Sequence, residues 1–259
     1  MTVQAPLLLL FRKHNTLRSV IECVLERRLG SITADDPTRP RVARLDLGCY
    51  AIFGGNADRP EAEQFVRSVE PPRELLIPDD QSWRDLLSAI HGLRLSDRPM
   101  RTFELHALDR KRLRKLAGGI PAGFSIAALN PESASQLDES IQPHAMQVFG
   151  TVGEFLEHGV GFGALDGNRL ACAATSYAIS AERAEVAIAT RPEYRGRGLA
   201  KTVAAHMLLH CLENGLRPEW SAANPVSKRL AFHLGYRPGR LCDVFYLEDR
   251  SSPHATVQS

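Results

Sequence analysis

The chain has 259 residues, 44% of them hydrophobic, enough for one large domain or two ordinary ones that each bury a core. Its 32 Lys and Arg against 30 Asp and Glu leave a net charge of +2, which excludes a surface built to neutralise many phosphates, and nucleic acid as the expected partner. The five cysteines, Cys23, Cys49, Cys172, Cys211 and Cys242, are widely separated and show no Cys-x-x-Cys spacing, so reduced thiols and a cytoplasmic address are expected.

The apolar run Pro6 to Phe11 is too short to span a bilayer and lacks both a basic segment before it and a small-residue cleavage site after it, so a soluble protein is expected. Leu17, Val20, Ile21, Val24 and Leu25 recur at the spacing of one helical face, ending near Gly30. Val42 to Phe53 reads as strand. Pro60 opens a helix that buries Ala62, Phe65, Val66 and Val69, and Glu74 to Ile77 is a short strand. Ser82 is placed to cap a helix carrying Trp83, Leu86, Leu87 and Ile90, and Met100 to Ala107 is a strand with Phe103 and Leu105 on one face. The basic cluster Arg110 to Lys115 reads as a solvated helix face. The stretch Arg112 to Pro121 marks the expected boundary between an N-terminal α/β domain (1–118) and a second domain (119–259).

The second domain opens with a strand, Phe124 to Leu129. Asn130-Pro131-Glu132 then starts a helix carrying Leu137 and Ile141, and another helix covers Val152 to Leu156. Three strands follow, Gly161 to Leu165, Leu170 to Ile179 and Glu185 to Thr190, the first two joined by the hairpin signal Asp166-Gly167-Asn168. Gly159-Val-Gly-Phe-Gly-Ala164 matches a dinucleotide fingerprint in letters, but it precedes a strand instead of opening a helix. A long apolar helix, Leu199 to Glu213, ends at Asn214-Gly215 with Pro218 beyond. Its His206 and His210 lie four apart, but Met207 stands where a metalloprotease motif needs Glu, so no metal is expected. Trp83 and Trp220 are expected to be packing residues. No nucleophile arrangement of the Gly-x-Ser-x-Gly kind is present.

The chemistry concentrates in the loop between Thr190 and Leu199. A helix N-terminus exposes unpaired N–H groups and the positive end of its dipole, which together hold phosphate oxygens. Gly196 and Gly198 give the backbone the freedom to approach an anion, and Arg195 and Arg197 flank it with planar donors, so a diphosphate suits this loop.

Tyr194-Arg-Gly-Arg-Gly-Leu-Ala200 resembles the pyrophosphate-binding signature of the GNAT superfamily, Gln or Arg, two residues, Gly, one residue, then Gly or Ala; here these are Arg195, Gly198 and Ala200. The resemblance runs from Phe124 onward, through Trp220-Ser-Ala-Ala-Asn224 as a strand and Ser227 to Tyr236 as a helix and turn. Several phrases are similar to the subfamily that includes the zwittermicin A resistance acetyltransferase. The implied fold is α/β (α+β): a mixed, mostly antiparallel central sheet flanked by helices, preceded by a smaller N-terminal α/β domain that covers or shapes an acceptor pocket. The resemblance further implies acetyl-CoA as cosubstrate. Backbone groups of Ile188, Ala189 and Thr190 would pair with the pantetheine arm, and amides from Arg195 through Gly196, Arg197, Gly198 and Leu199 to Ala200 would hold the pyrophosphate. Asn224 and Ser227 would lie beside the pantetheine and the sulfur.

Direct acetyl transfer to an amine needs a base, an oxyanion donor and an acid for the departing thiolate. A backbone N–H of the Ile188 to Thr190 strand is a candidate oxyanion donor, and Glu185, opening that strand, is the candidate base. Many members of the family have a tyrosine directly after the leucine of the following helix, but here Leu230 is followed by Ala231. Tyr236, Ser227 or an ordered water are the substitutes, with Tyr236 preferred. The implied function is an N-acetyltransferase acting on a primary amine of a small molecule, with an amino-bearing antibiotic as one such acceptor. A non-catalytic acyl-CoA binding module and a protein or peptide N-acetyltransferase are the alternatives. Oligomeric state is not legible in the sequence.

Overall fold

The computed structural model describes residues 4–26, 28–138, 141 and 143–249. In chain order the elements are α1 (Gln4–Leu10), α2 (Arg18–Leu25), β1 (Ser31–Ala34), β2 (Val42–Leu47), β3 (Tyr50–Gly55), α3 (Pro60–Arg67), β4 (Arg73–Leu76), α4 (Gln81–His91), β5 (Leu95–Asp97), β6 (Met100–Glu104) and α5 (Arg110–Ala117). There follow β7 (Ser125–Ala128), α6 (Pro131–Ala134), α7 (Pro143–Phe149), α8 (Val152–His158), β8 (Gly161–Asp166), β9 (Arg169–Ile179) and β10 (Arg183–Thr190). The chain closes with α9 (Leu199–Glu213), β11 (Arg217–Glu219), β12 (Ser221–Ala222), α10 (Pro225–Leu234), β13 (Arg237–Cys242) and β14 (Val244–Leu247). No helix among the described residues is long and apolar enough to cross a membrane.

The chain forms two compact units, and both are discontinuous. One takes residues 1–15, 30–100 and 242–259, the other 16–29 and 101–241. This differs from the division expected after residue 118. Residues 101–118 fall in the second unit because α5 packs its buried Leu113 and Ala117 against α9, while its basic residues stay exposed. Two of them finish neighbouring helices: Arg110 donates to the Leu212 carbonyl at 2.9 Å and Arg112 to the His233 carbonyl at 2.8 Å, where the last carbonyls of α9 and α10 lack intrahelical donors.

The first unit is a six-stranded sheet in the order β1-β2-β3-β4-β14-β5, antiparallel except for the pair β3 and β4, which α3 connects. Trp83 and Leu87 of α4 are fully buried in its core with Phe53 and Phe65. The Trp83 indole donates to the Gly55 carbonyl at 3.0 Å. The single strand read over Val42 to Phe53 is two strands, β2 and β3, reversing at Gly48 with φ 53°. Asp80, not Ser82, caps α4, accepting the Ser82 N–H at 3.1 Å.

The second unit holds a five-stranded sheet, β11-β10-β9-β8-β7, antiparallel except between β10 and β11. β9 is buried along nearly its whole length, with α2, α7 and α9 all packing on it, as expected of a strand covered on both faces. A smaller sheet, β12-β6-β13, lies in the same part of the chain.

The hairpin at Gly167 has φ 59°, and Asn130 caps α6 through a reciprocal box with Ser133. The helix expected to carry Leu137 and Ile141 ends at Ala134, and part of that stretch, 139–140 and 142, lies outside the described residues. The strand read over Met100 to Ala107 ends at Glu104 and continues as a 3-10 turn, Leu105–Ala107. Gly161 and Gly163, within the glycine run, are strand residues on which Leu129 packs so closely that a Cβ would stand 2.7 and 2.8 Å from its methyl carbons. His206 stacks on Phe162 with its Nε2 at 3.2 Å from the Ala117 carbonyl, and His210 tilts against the same ring. The five cysteines are free thiols.

Candidate active site

The site is organised by a divergence between β10 and β11. The two strands run parallel through Arg183 and Arg217, Ala184 and Pro218, and Glu185 and Glu219, and then part. β10 stays paired with β9 as far as Thr190. The chain after Glu219 instead joins the small sheet: the Trp220 carbonyl accepts the Phe103 N–H at 3.0 Å, and Ser221 and Ala222 pair with Thr102 and Arg101. Burial follows the parting, since Ala184, Glu185 and Val186 are buried whereas residues 187–190 are half-buried. An unladdered strand edge offers alternating N–H and C=O groups, which an extended ligand containing amides can meet as an added strand. Ile188, Ala189 and Thr190 lie on that stretch.

At the far end of β10 the 3-10 turn Pro192–Tyr194 leads into the glycine loop. Tyr194 anchors it, buried and donating its hydroxyl to Asp166 at 3.1 Å. Gly196 and Gly198 have φ 78° and 82°, a left-handed conformation costly for any residue with a Cβ. Space above them is open: a Cβ on Gly196 would meet nothing within 4 Å, and one on Gly198 only Lys201 Cε at 3.7 Å. Leu199 is buried and Ala200 half-buried, which fixes the first turn of α9 on the core. No side chain caps that turn, so its first N–H groups lack a side-chain acceptor. The exposed Arg195, Arg197 and Lys201 have no carboxylate partner among the described residues, whereas Arg169 and Arg191 nearby are paired with Glu193 and Asp138. Arg195 donates instead to the Thr190 carbonyl at 3.2 Å, and the Arg197 guanidinium lies 5.3 Å from the Tyr194 ring centre. Uncapped N–H groups under unspent cations fit the diphosphate of an acyl-CoA.

At the near end, where the strands part, lies a buried polar cluster. Glu185 is 5% exposed. Its Oε1 accepts the Ser221 hydroxyl at 2.5 Å and its Oε2 the Ser19 hydroxyl at 3.0 Å. Burial first, and the charge of Glu219 second, push its carboxyl up to about 7, against the two serine hydrogen bonds that pull it down. Glu219 accepts the Ser19 N–H at 3.1 Å and Arg183 Nη1 at 2.5 Å. Arg183 reaches Glu22 with Nε at 3.0 Å. Ser19, Ser221, Glu219 and Arg183 were not singled out in the sequence. Pro218-Glu-Trp-Ser221, a run with a carboxylate and a hydroxyl beside Trp220, was the available signal for two of them; Ser19 lies 166 positions from Glu185 and had none.

The structure is unfavourable to Tyr236 as the acid. It is 2% exposed, packs with Trp220 and Phe103, and donates its proton to the Pro218 carbonyl at 2.8 Å. Burial raises its hydroxyl well above the ordinary phenol range, with the neighbouring Cys211, Glu185 and Glu219 adding to the effect. Asn224 and Ser227 come together at the start of α10, but with local duties: Asn224 caps the helix through the Ser227 N–H at 2.8 Å, and Ser227 Oγ accepts the Trp220 indole N–H at 3.1 Å. The strand read over Trp220 to Asn224 is only Ser221–Ala222. Ala231, at the position of the usual tyrosine, is fully buried.

A family model described as GNAT acetyltransferase matches residues 9–244. The uncharacterized N-acetyltransferase YdfB of Bacillus subtilis (strain 168) is 28% identical over 228 residues, which cover 84% of this chain and 85% of that protein. Among solved structures, a GCN5-related N-acetyltransferase-like protein from Streptococcus suis 89/1591 superposes with a TM-score of 0.79 at 25% identity, covering 91% of this chain and 95% of that one. A GCN5-related N-acetyltransferase from Kribbella flavida shares the fold with a TM-score of 0.61 at 16% identity, over 93% and 98% of the two chains. Family match and fold define an acyltransferase. The chain belongs to the GNAT acetyltransferase family, and the match extends well upstream of Phe124, into residues from both units.

Proposed function

We propose that the protein transfers acetyl from acetyl-CoA to a primary amine of a small molecule, with an amino-bearing antibiotic of the zwittermicin A kind as one acceptor class. The observation that carries this reading is the continuous open edge of β10, with a proton acceptor at one end and an anion loop at the other. Acetyl-CoA would lie with its diphosphate at Arg195 to Ala200 and its pantetheine amides along Ile188, Ala189 and Thr190. Glu185, near neutrality, takes the proton from the substrate ammonium, and the neutral amine so formed attacks the thioester carbonyl to make the new C–N bond. A backbone N–H of the exposed edge stabilises the carbonyl oxygen as the C–S bond breaks. The leaving thiolate gains a proton in the balance of the reaction. With Tyr236 hydrogen-bonded to Pro218, Ser227 is the preferred one of the considered donors: its oxygen accepts from Trp220, and its own proton is left to give.

Isothermal titration with acetyl-CoA tests the reading, repeated on Gly198→Val, followed by a screen of amines for thiol release. Binding in the wild type that disappears in the variant, with turnover on small amines, is the expected result. A folded wild type that binds no acetyl-CoA overturns it. The buried Ala231 and the committed Tyr236 favour one other reading, a non-catalytic acyl-CoA module, for which tight binding without release of thiol on any amine is the signature.

A further inference from the structure

We propose that Ser19 and Glu219 are positioning residues that set the protonation of Glu185: Ser19 ties the two carboxylates together, while Arg183 pairs with Glu219 and Glu22 and leaves Glu185 without a cation, so the two carboxylates differ in their partners. This rests on the reading of Glu185 as the base. Ser19 is fully buried in the first turn of α2 and uses two different groups, its hydroxyl on Glu185 and its N–H on Glu219. That N–H is one of the donors a helix leaves without an internal partner, so giving it to Glu219 costs α2 nothing. Leu17, just before the helix, has φ 51°, a left-handed backbone unusual for leucine that delivers Ser19 to this place.

The partners of the two carboxylates differ in kind. Glu219 has a guanidinium and an amide, donors only, and neither can accept a proton from it. Glu185 has two hydroxyls, which rotate to accept once it is protonated, besides the Ser221 N–H, which can stay on the unprotonated oxygen. It therefore takes up and releases a proton without leaving a buried group unsatisfied. The titratable groups that act on it are Glu219 from β11 and Tyr236, with Arg183 of its own strand and Glu22 of α2 joined to Glu219 beyond them. Arg183 spends its fork on Glu219 and Glu22 and makes no bond to Glu185.

The test is a pH titration by NMR of the full chain carrying 13C-labelled glutamate carboxyls, with the Glu185 signal assigned by its loss in Glu185→Gln. Glu219→Gln is expected to lower the Glu185 midpoint by about half a unit or more, because a neighbouring negative charge is removed. Ser19→Ala is expected to raise it by a similar amount, because a bond to the charged form is lost, and Ser19→Thr to restore it. An unmoved midpoint in a folded Glu219→Gln overturns the proposal. If that variant does not fold, an unmoved midpoint in Ser19→Ala does so. The titration needs no acceptor: midpoints that move while Glu185→Gln transfers acetyl at the wild-type rate would uphold the pairing and remove Glu185 as the base.

Discussion

A carboxyl that gives and takes a proton inside a protein needs neighbours that stay hydrogen-bonded in both states, and the hydroxyls of Ser19 and Ser221 can do this for Glu185. With its carboxyl at about 7, kcat/KM for acetyl transfer should rise with pH through neutrality and level above it. Glu185→Gln should lower transfer by about 10²-fold while leaving acetyl-CoA affinity nearly unchanged, as rate and titration would show. The same carboxyl sets a sign for stability. Its folded value lies above the ordinary 4.5, so its contribution is fully present below 4.5 and is lost as pH rises towards about 7. Thermal melts should fall more steeply across that window for the wild type than for Glu185→Gln. Glu185 stands out in the sequence because it opens a β-rich run ahead of the glycine loop, whereas its burial and its serine partners are not legible there. For Tyr236 a sequence gives the residue type but not the direction of its hydroxyl, which faces the Pro218 carbonyl.

Elements with strong punctuation were legible, and those held only by tertiary contacts were not. The β8–β9 hairpin, β10 and α9 carry turn residues, alternation or helical spacing over enough positions to declare themselves. β11 and β12, three and two residues long, carry no period, yet their separation into different sheets makes the open edge. The glycine loop is dictated by its dihedrals. Gly198→Val should cost about 1–3 kcal/mol through positive φ alone and also fill the space above the α9 terminus, so that a lowered melting temperature accompanies lost acetyl-CoA binding. Arg112→Ala provides a contrast. It removes donors to the last carbonyls of α10 from an exposed site, so a loss of about 0.5–1 kcal/mol is expected, seen as a melting temperature a few degrees lower with acetyl-CoA affinity intact.

Sequence patterns could not reveal how the chain is apportioned, because the two units exchange segments far apart in number. Residues 16–29 supply Ser19 and Glu22 to the unit that holds the site, and β14 completes the sheet of the other. β14 stands between β4 and β5, pairing Phe245 with Leu75 on one side and with Asp97 on the other. Ending the chain at Leu241 should therefore leave two facing strand edges and a lower-melting first unit, detectable by calorimetry and by faster proteolysis within residues 30–100. That placement also has a meaning for biosynthesis. A sheet begun by residues made early cannot close until Val244 to Leu247 have left the ribosome, so the nascent first unit must wait, edges bare, through translation of residues 101–241.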